Sequence, residues 1–389
     1  MNHAMIDIAR THQVIVLDRN HEGYPSSELV KGVRVYRLNS YADSLLSRGV
    51  LRAPGVGVMA VLIERLIYSF KVLVEAIRLR PSVILCNSVT VSLFLVLARP
   101  RRYKMVYQSM SAHRGKGYNF INSWRVAFLK VAEDFVFRHT DRIMVDYIDS
   151  QDDLLMKMVK LPRRVWEIPV TVDDRFWSQV DDKRYIEDFR RTLGLAPNQV
   201  MVLYHGRILP HKGLHYLLDA FQLVLQKNDH VMLFIVGPTV EGISPSRRDL
   251  DYLDLLRNKI ERARMDGRVK IVAGWQPSEI VRTFYEACDI FIHPSQMDVI
   301  PHTVRQAMSM GKPVVSTDVG GVGKLIRNEW NGYLVKPTDI SAMASAILAL
   351  VERPETRVAF GQISRNYVSV NCSIQRASMV IQKALTTWP

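Results

Sequence analysis

Cysteine is scarce in this chain: three thiols among 389 residues, Cys86, Cys288 and Cys372, far apart and in no metal-ligand spacing. That argues against a disulfide-built fold and makes a reducing cytoplasm the expected compartment. Long apolar runs are lacking as well. The nearest candidate, Val83 to Ala98, is broken by Asn87, Ser88, Thr90 and Ser92, so no segment reads as a membrane span. The first residues are mixed and polar and show no secretory leader. There is no internal repeat and no low-complexity tract. Acidic residues are outnumbered, 38 Asp and Glu against 52 Lys and Arg, for a net charge of +14. Up to Val170 the count is 25 basic against 15 acidic, so most of the excess lies in the N-terminal half. No helix-turn-helix, RNA-binding or zinc motif accompanies the charge, and nucleic acid is not an expected partner.

What is present suits a two-domain α/β protein. Hydrophobic residues make up 48% of the chain, enough for two substantial cores at this length. Apolar strand-like runs alternate with helical patterns throughout, which reads as βαβ units and parallel sheets. Strands are expected over His12–Leu17, Val33–Leu38, Ser82–Cys86, Lys104–Tyr107 and Arg142–Val145. A second set is expected over Val200–Tyr204, Met232–Val236, Val269–Val272, Ile290–Ile292 and Val314–Ser316. Helices are expected over Val58–Leu79, Asn122–Arg138, Gln151–Val159 and Ile374–Leu385, with a hinge over Thr171–Trp177.

Two segments carry chemistry. In Val202 to Phe221 an apolar strand runs into Gly206-Arg207, a short loop holds Lys212-Gly213, and an amphipathic helix follows. Two cations beside the free amides of a helix N-terminus suit a diphosphate, because all attract the same anion. The plainer alternative is a strand-to-helix turn with two solvated cations. Some ninety residues on, Ile290 to Gly321 reads strand, Pro294-Ser295 loop, helix from His302, Gly311-Lys312-Pro313, second strand and Gly320-Gly321 loop.

Here the sequence resembles the retaining, nucleotide-sugar-dependent glycosyltransferases of family four, which have the GT-B fold. The resemblance rests on Pro294-Ser295, Asp298, Gln306-Ala307-Met308, Gly311 to Val315 and Gly320-Gly321 in register, together with Gly206, Arg207, Lys212 and Gly213. Glu167 to Asp173, Leu233 to Gly237 and Asn331 to Val335 resemble further family segments. It implies two Rossmann-like domains with a cleft between them and a C-terminal helix crossing back to the first. The expected divisions are an acceptor-side domain over 1–172, a nucleotide-sugar-binding domain over 173–365 and the crossover helix over 366–389. It also implies that a first strand and a glycine-rich loop are missing ahead of the helix at His3, leaving the activity of this exact chain in question.

Retaining transfer breaks the anomeric bond to the diphosphate through an oxocarbenium-like state while negative charge grows on the leaving group. Arg207, Lys212 and Asp298 are the expected catalytic residues: the two cations stabilise the leaving diphosphate and Asp298, where the family usually has Glu, holds sugar hydroxyls. The donor site is expected to comprise Gly206, Arg207, Lys212, Trp275, Asp298, Val299, Ile300, His302, Thr303 and Gln306. Gln306 replaces a family Glu that accepts from ribose hydroxyls, so those bonds should weaken. On the acceptor side Met110 stands where relatives often have His, and His113 is the candidate substitute. The resemblance implies no metal and no cofactor, the nucleotide sugar (a UDP-sugar or GDP-mannose) being a substrate, and a lipid-linked or glycan acceptor. Asp249-Leu250-Asp251 and the His211/His215 pair match short metal motifs, but the first reads as a solvated helix face and the second lacks a third ligand.

Two stretches, Val58 to Arg80 and Lys116 to Arg142, mix cations with apolar residues and suit an anionic bilayer surface. The expected location is therefore cytoplasmic, peripheral on the inner membrane face; a core-facing amphipathic helix is the alternative. Rival functions are a nucleotide-sugar epimerase and a degenerate or truncated homologue that binds nucleotide sugar or a partner without turnover.

Overall fold

Strand-forming runs of Val, Ile, Leu and Phe dominate both halves of the chain, and they assemble into parallel sheets flanked by helices. A computed structural model describes residues 3–20, 25–39, 56–98, 103–109, 124–146, 164–173, 177, 182–239 and 247–388. The chain divides into two units, Met1–Val170 with Ile374–Pro389, and Thr171–Ser373.

The first unit opens with α1 (His3–Ile8), β1 (Ile15–Asn20), β2 (Ser27–Val30) and β3 (Val33–Asn39). It continues with α2 (Val56–Leu79), β4 (Val83–Cys86), α3 (Val89–Leu97), β5 (Lys104–Ser109), α4 (Trp124–His139), β6 (Arg142–Val145) and β7 (Val165–Glu167). Its described strands form two separate sheets, β1-β3-β2 and β4-β5-β6-β7, parallel apart from the β2–β3 pair. Strands β1 and β4 are not ladder partners, yet they feed the same apolar clusters. Val14, Val83 and Leu85 pack in one, Leu17, Ile84 and Cys86 in another. Strand β4 is only half-buried, whereas β6 is buried throughout.

The second unit contains α5 (Lys183–Thr192), β8 (Val200–His205), α6 (Leu214–Leu225), β9 (Val231–Gly237), α7 (Arg247–Arg262), β10 (Val269–Ala273) and α8 (Ser278–Ala287). Then come β11 (Ile290–His293), α9 (His302–Ser309), β12 (Val314–Thr317), α10 (Val322–Leu325), β13 (Gly332–Val335), α11 (Ile340–Glu352) and α12 (Pro354–Asn371). The sheet has six parallel strands in the order β10-β9-β8-β11-β12-β13. The chain thus builds outward from β8 in one direction and, from β11, in the other. The β8/β11 seam is the point where strand order reverses, and open α/β sheets bind ligands at the carboxyl ends of such a seam.

Helix α12 runs unbroken across residues 365 and 366, and the last helix, α13 (Ile374–Thr386), belongs to the first unit. Arg142 on β6, 1% exposed, fastens it there. Its guanidinium donates to the Ala384 and Thr387 carbonyls at the helix end and stacks over the Trp388 ring at 3.9 Å. A cation suits that place because the last carbonyls of a helix lack intrahelical donors and carry partial negative charge.

Candidate functional site

The site grows from the loops at the β8/β11 seam. Strand β8 ends at Gly206, whose φ of 153° belongs to glycine. A Cβ on Gly237, at the end of neighbouring β9, would stand 2.2 Å from the Gly206 carbonyl oxygen, so both strand ends must be bare for the backbones to meet. Ile208 and Leu209 are buried and anchor the loop, and a short 3-10 turn, Pro210–Lys212, delivers Lys212 to Gly213. Gly213 starts α6 at φ 71°, and a Cβ there would lie 2.1 Å from the Pro294 carbonyl oxygen. The two loops are therefore packed backbone to backbone, and Gln296 N donates to His211 O at 2.9 Å across them.

The second loop is held as firmly. Ser295 is fully buried, its hydroxyl donating to Met297 O at 2.7 Å, while Thr317 Oγ1 donates to Ser295 O. Gly321 N donates to Val299 O at 2.6 Å, and a Cβ on Gly320 (φ 52°) would come within 2.1 Å of Asp298 O and 2.4 Å of Val299 O. This backing fixes Asp298. Its Oδ1 accepts from Val299 N at 3.0 Å; its Oδ2 accepts from Lys212 Nζ at 2.6 Å and lies 3.4 Å from His293 Nε2. Burial alone would raise the carboxyl's pKa, but His293 and the Lys212 ammonium outweigh it and hold the group well below the usual carboxylate range. His293 itself is 2% exposed, and burial lowers its pKa despite the neighbouring carboxylate.

Behind this pair runs a buried hydroxyl. Tyr285 is fully buried, and its OH lies 3.1 Å from His205 Nδ1, 3.3 Å from Thr303 O and 3.3 Å from Gln306 Oε1. Burial pushes the His205 pKa down to about 4. At the start of α9, Arg305 Nη2 lies 2.6 Å from His302 Nδ1. Because a guanidinium only donates, Nδ1 accepts and the exposed His302 ring presents an Nε2–H. Desolvation and the Arg305 charge set the His302 pKa at about 4.

Lys212 and Asp298 thus meet, and Gly206, Val299, Ile300, His302, Thr303 and Gln306 lie on the same loops and the helix after them. Arg207 is exposed on the β8 loop. Trp275 is 83% exposed beyond β10, the edge strand, with β9 between it and β8. His113 and Met110 lie outside the described residues. Among the described residues no group of three His, Cys, Asp or Glu could hold a metal ion. His215 Nδ1 instead lies 2.9 Å from Tyr252 OH. His205 and His293 each end an apolar strand and Tyr285 sits on the buried face of α8, so in the sequence all three look like core.

The architecture is the GT-B fold. Sucrose-phosphate synthase from Thermosynechococcus elongatus superimposes with a TM-score of 0.74 at 19% identity, covering 98% of this chain and 90% of that one. Residues 186–367 match the family model of the glycosyl transferases group 1. α-D-Kanosaminyltransferase of Streptomyces kanamyceticus is 25% identical over 228 residues, 59% of this chain and 55% of that protein. D-Inositol 3-phosphate glycosyltransferase of Geodermatophilus obscurus is 29% identical over 231 residues, 58% of this chain and 48% of that protein. The chain spans about half the length of the curated relatives it matches.

Proposed function

We propose that the protein moves a sugar from a nucleotide diphosphate donor, a UDP-sugar or GDP-mannose, to a lipid-linked or glycan acceptor with retention of configuration. The observation that carries this reading is the Lys212–Asp298 pair, 2.6 Å apart at the seam where strand order reverses. An ammonium has three donors, and only one is spent on Asp298, so two remain for diphosphate oxygens. Asp298, ionised under all ordinary conditions, accepts from the hydroxyls of the donor sugar. As the anomeric bond opens, charge builds on the departing diphosphate, and Lys212, joined by Arg207 when the loop is occupied, stabilises it without a divalent ion. Thr303 and Gln306 receive the ribose. The relatives named above, a kanosaminyltransferase and an inositol 3-phosphate glycosyltransferase, support a sugar-transfer role.

A lipid-linked acceptor would bring the protein to the cytoplasmic face of a membrane; among the described residues no helix is long and apolar enough to cross one.

Calorimetry of the full chain against a panel of UDP-sugars and GDP-mannose tests the proposal. One donor should bind the wild type and lose that affinity on Lys212→Ala. A panel in which nothing binds, or a binder indifferent to Lys212, would remove the reading. Retention is checked by the anomeric NMR coupling of the product.

A further inference from the structure

The outer face of α2 has the wrong polarity for water. Six large apolar side chains, Ile63, Leu66, Ile67, Phe70, Val74 and Ile77, are between 45% and 58% exposed. At the turn of an α-helix they fall on one stripe roughly 100° wide and about 21 Å long. Polar residues meanwhile point inward: Glu64 is 5% exposed and Ser69 is fully buried, its hydroxyl donating to Arg65 O at 2.7 Å. The remaining exposed positions from Ile63 to Arg80 are Arg65, Arg78 and Arg80, and none is acidic. Glu75, half-buried, lies 3.4 Å from Arg78.

Charge on the larger scale points the same way. The first unit carries 27 Lys and Arg against 15 Asp and Glu, a net +12, whereas residues 171–373 carry 25 against 23, a net +2. Six half-exposed side chains leave on the order of 500 Å² of apolar area in water. That falls short of the about 800 Å² each partner gives to a stable protein interface. A bilayer needs no matching protein surface, and it rewards an apolar stripe that ends in arginines. The other cationic stretch is less suited: on α4, among positions from Val131 on, Val131 is the one large apolar side chain turned to solvent.

We propose that α2 is a membrane-docking surface. It lies in the plane of an anionic bilayer, the six apolar side chains at the acyl boundary and Arg78 and Arg80, at the C-terminal end of the stripe, at the headgroups. The inference deepens the lipid-linked-acceptor reading by naming the surface that brings the enzyme to such an acceptor, and its test requires no transfer.

The experiment is co-sedimentation of the full chain with vesicles of 70% phosphatidylcholine and 30% phosphatidylglycerol, and with phosphatidylcholine alone. The wild type should pellet with the anionic vesicles and release in high salt. Phe70→Ser with Val74→Ser should weaken binding at least tenfold, and so should a second pair, Ile63→Gln with Ile67→Gln. Arg78→Gln with Arg80→Gln should reduce the preference for the anionic vesicles. Because all these positions are exposed, the variants should keep the wild-type Tm and donor binding, which separates lost docking from lost folding. A wild type that stays in the supernatant, or apolar-stripe variants that pellet as well as it does, would overturn the proposal. So would a dimer in light scattering that the serine pair returns to monomer. Vesicle binding with no donor binding would strike the transferase reading alone, and the reverse result would strike the docking surface alone.

Discussion

The two units use the same alternation of strand and helix but hold their strands differently. In the second, six parallel strands form one unbroken ladder, and β9, β11 and β12 are buried along their whole length. In the first, the described strands divide between two sheets, and β4 is only half-buried. The lesson concerns tolerance. Loops that must keep an ammonium and a carboxylate within 3 Å of each other grow from the continuous sheet, where glycines meet carbonyls with no room to spare. The unit with the broken ladder carries nearly all the excess charge and the exposed apolar stripe, features that demand a surface rather than a fixed distance.

Substitutions at glycine break this contrast most directly. Gly213→Val and Gly320→Val each thrust a side chain into a carbonyl 2.1 Å away at a left-handed φ, and should cost more than about 3 kcal/mol. Gly32→Ala in the first unit, also left-handed but 3.8 Å from its nearest neighbour, should cost only about 1 kcal/mol of backbone strain. Thermal denaturation decides; similar losses at all three positions would erase the distinction. Next in size, Lys212→Ala should raise the transfer barrier by about 2–4 kcal/mol, seen as a fall in kcat/KM. Arg207→Ala measures how far an exposed guanidinium joins in, and unchanged rates in both variants would remove the charge-stabilisation mechanism.

A smaller effect concerns acid. His205 is held neutral by burial, with a folded pKa of about 4 against about 6.5 when unfolded. A lowered folded pKa means that the unfolded chain binds the extra proton first. Stability should therefore fall as pH drops through 6.5 towards 4. The urea midpoint should be lower at pH 5 than at pH 7.5, and His205→Asn should narrow the gap. Asp298 contributes almost nothing between pH 7.5 and 5, because its unfolded carboxyl takes up protons only near pH 3.8 and the folded one lower still. Smallest of all, Gln306→Glu should tighten donor binding by roughly 1 kcal/mol if the side chain meets the ribose, measured by calorimetry.

Most strands were legible in the sequence because buried parallel strands are continuous apolar runs; Val231 to Gly237 and Ile290 to His293 are clear cases. Strand β2, Ser-Glu-Leu-Val, was not, being four residues long with alternating exposure, and its place is set by antiparallel pairing with β3. Helix α3 hid inside the run from Val83 to Ala98, where composition is apolar on every side and only Ser88, accepting from Val91 N, marks the turn from strand to helix. At the site, Lys212 and Asp298 were legible by motif spacing. His293 and the Tyr285 hydroxyl were not, because their significance comes from what two distant loops bring beside them.

The ion pair at the seam also bears on which anions the protein would ignore. A solitary buried cation would capture any abundant anion in the cell. Beside Asp298 the Lys212 charge is largely offset, while two of its three donors stay unspent. Under the proposed reading, a guest that offers a phosphate to Lys212 and hydroxyls to Asp298 gains from both members of the pair, whereas a bare anion also meets the carboxylate's repulsion. Inorganic phosphate should accordingly compete poorly with the donor in a displacement titration, and selectivity for the whole molecule is set before it arrives.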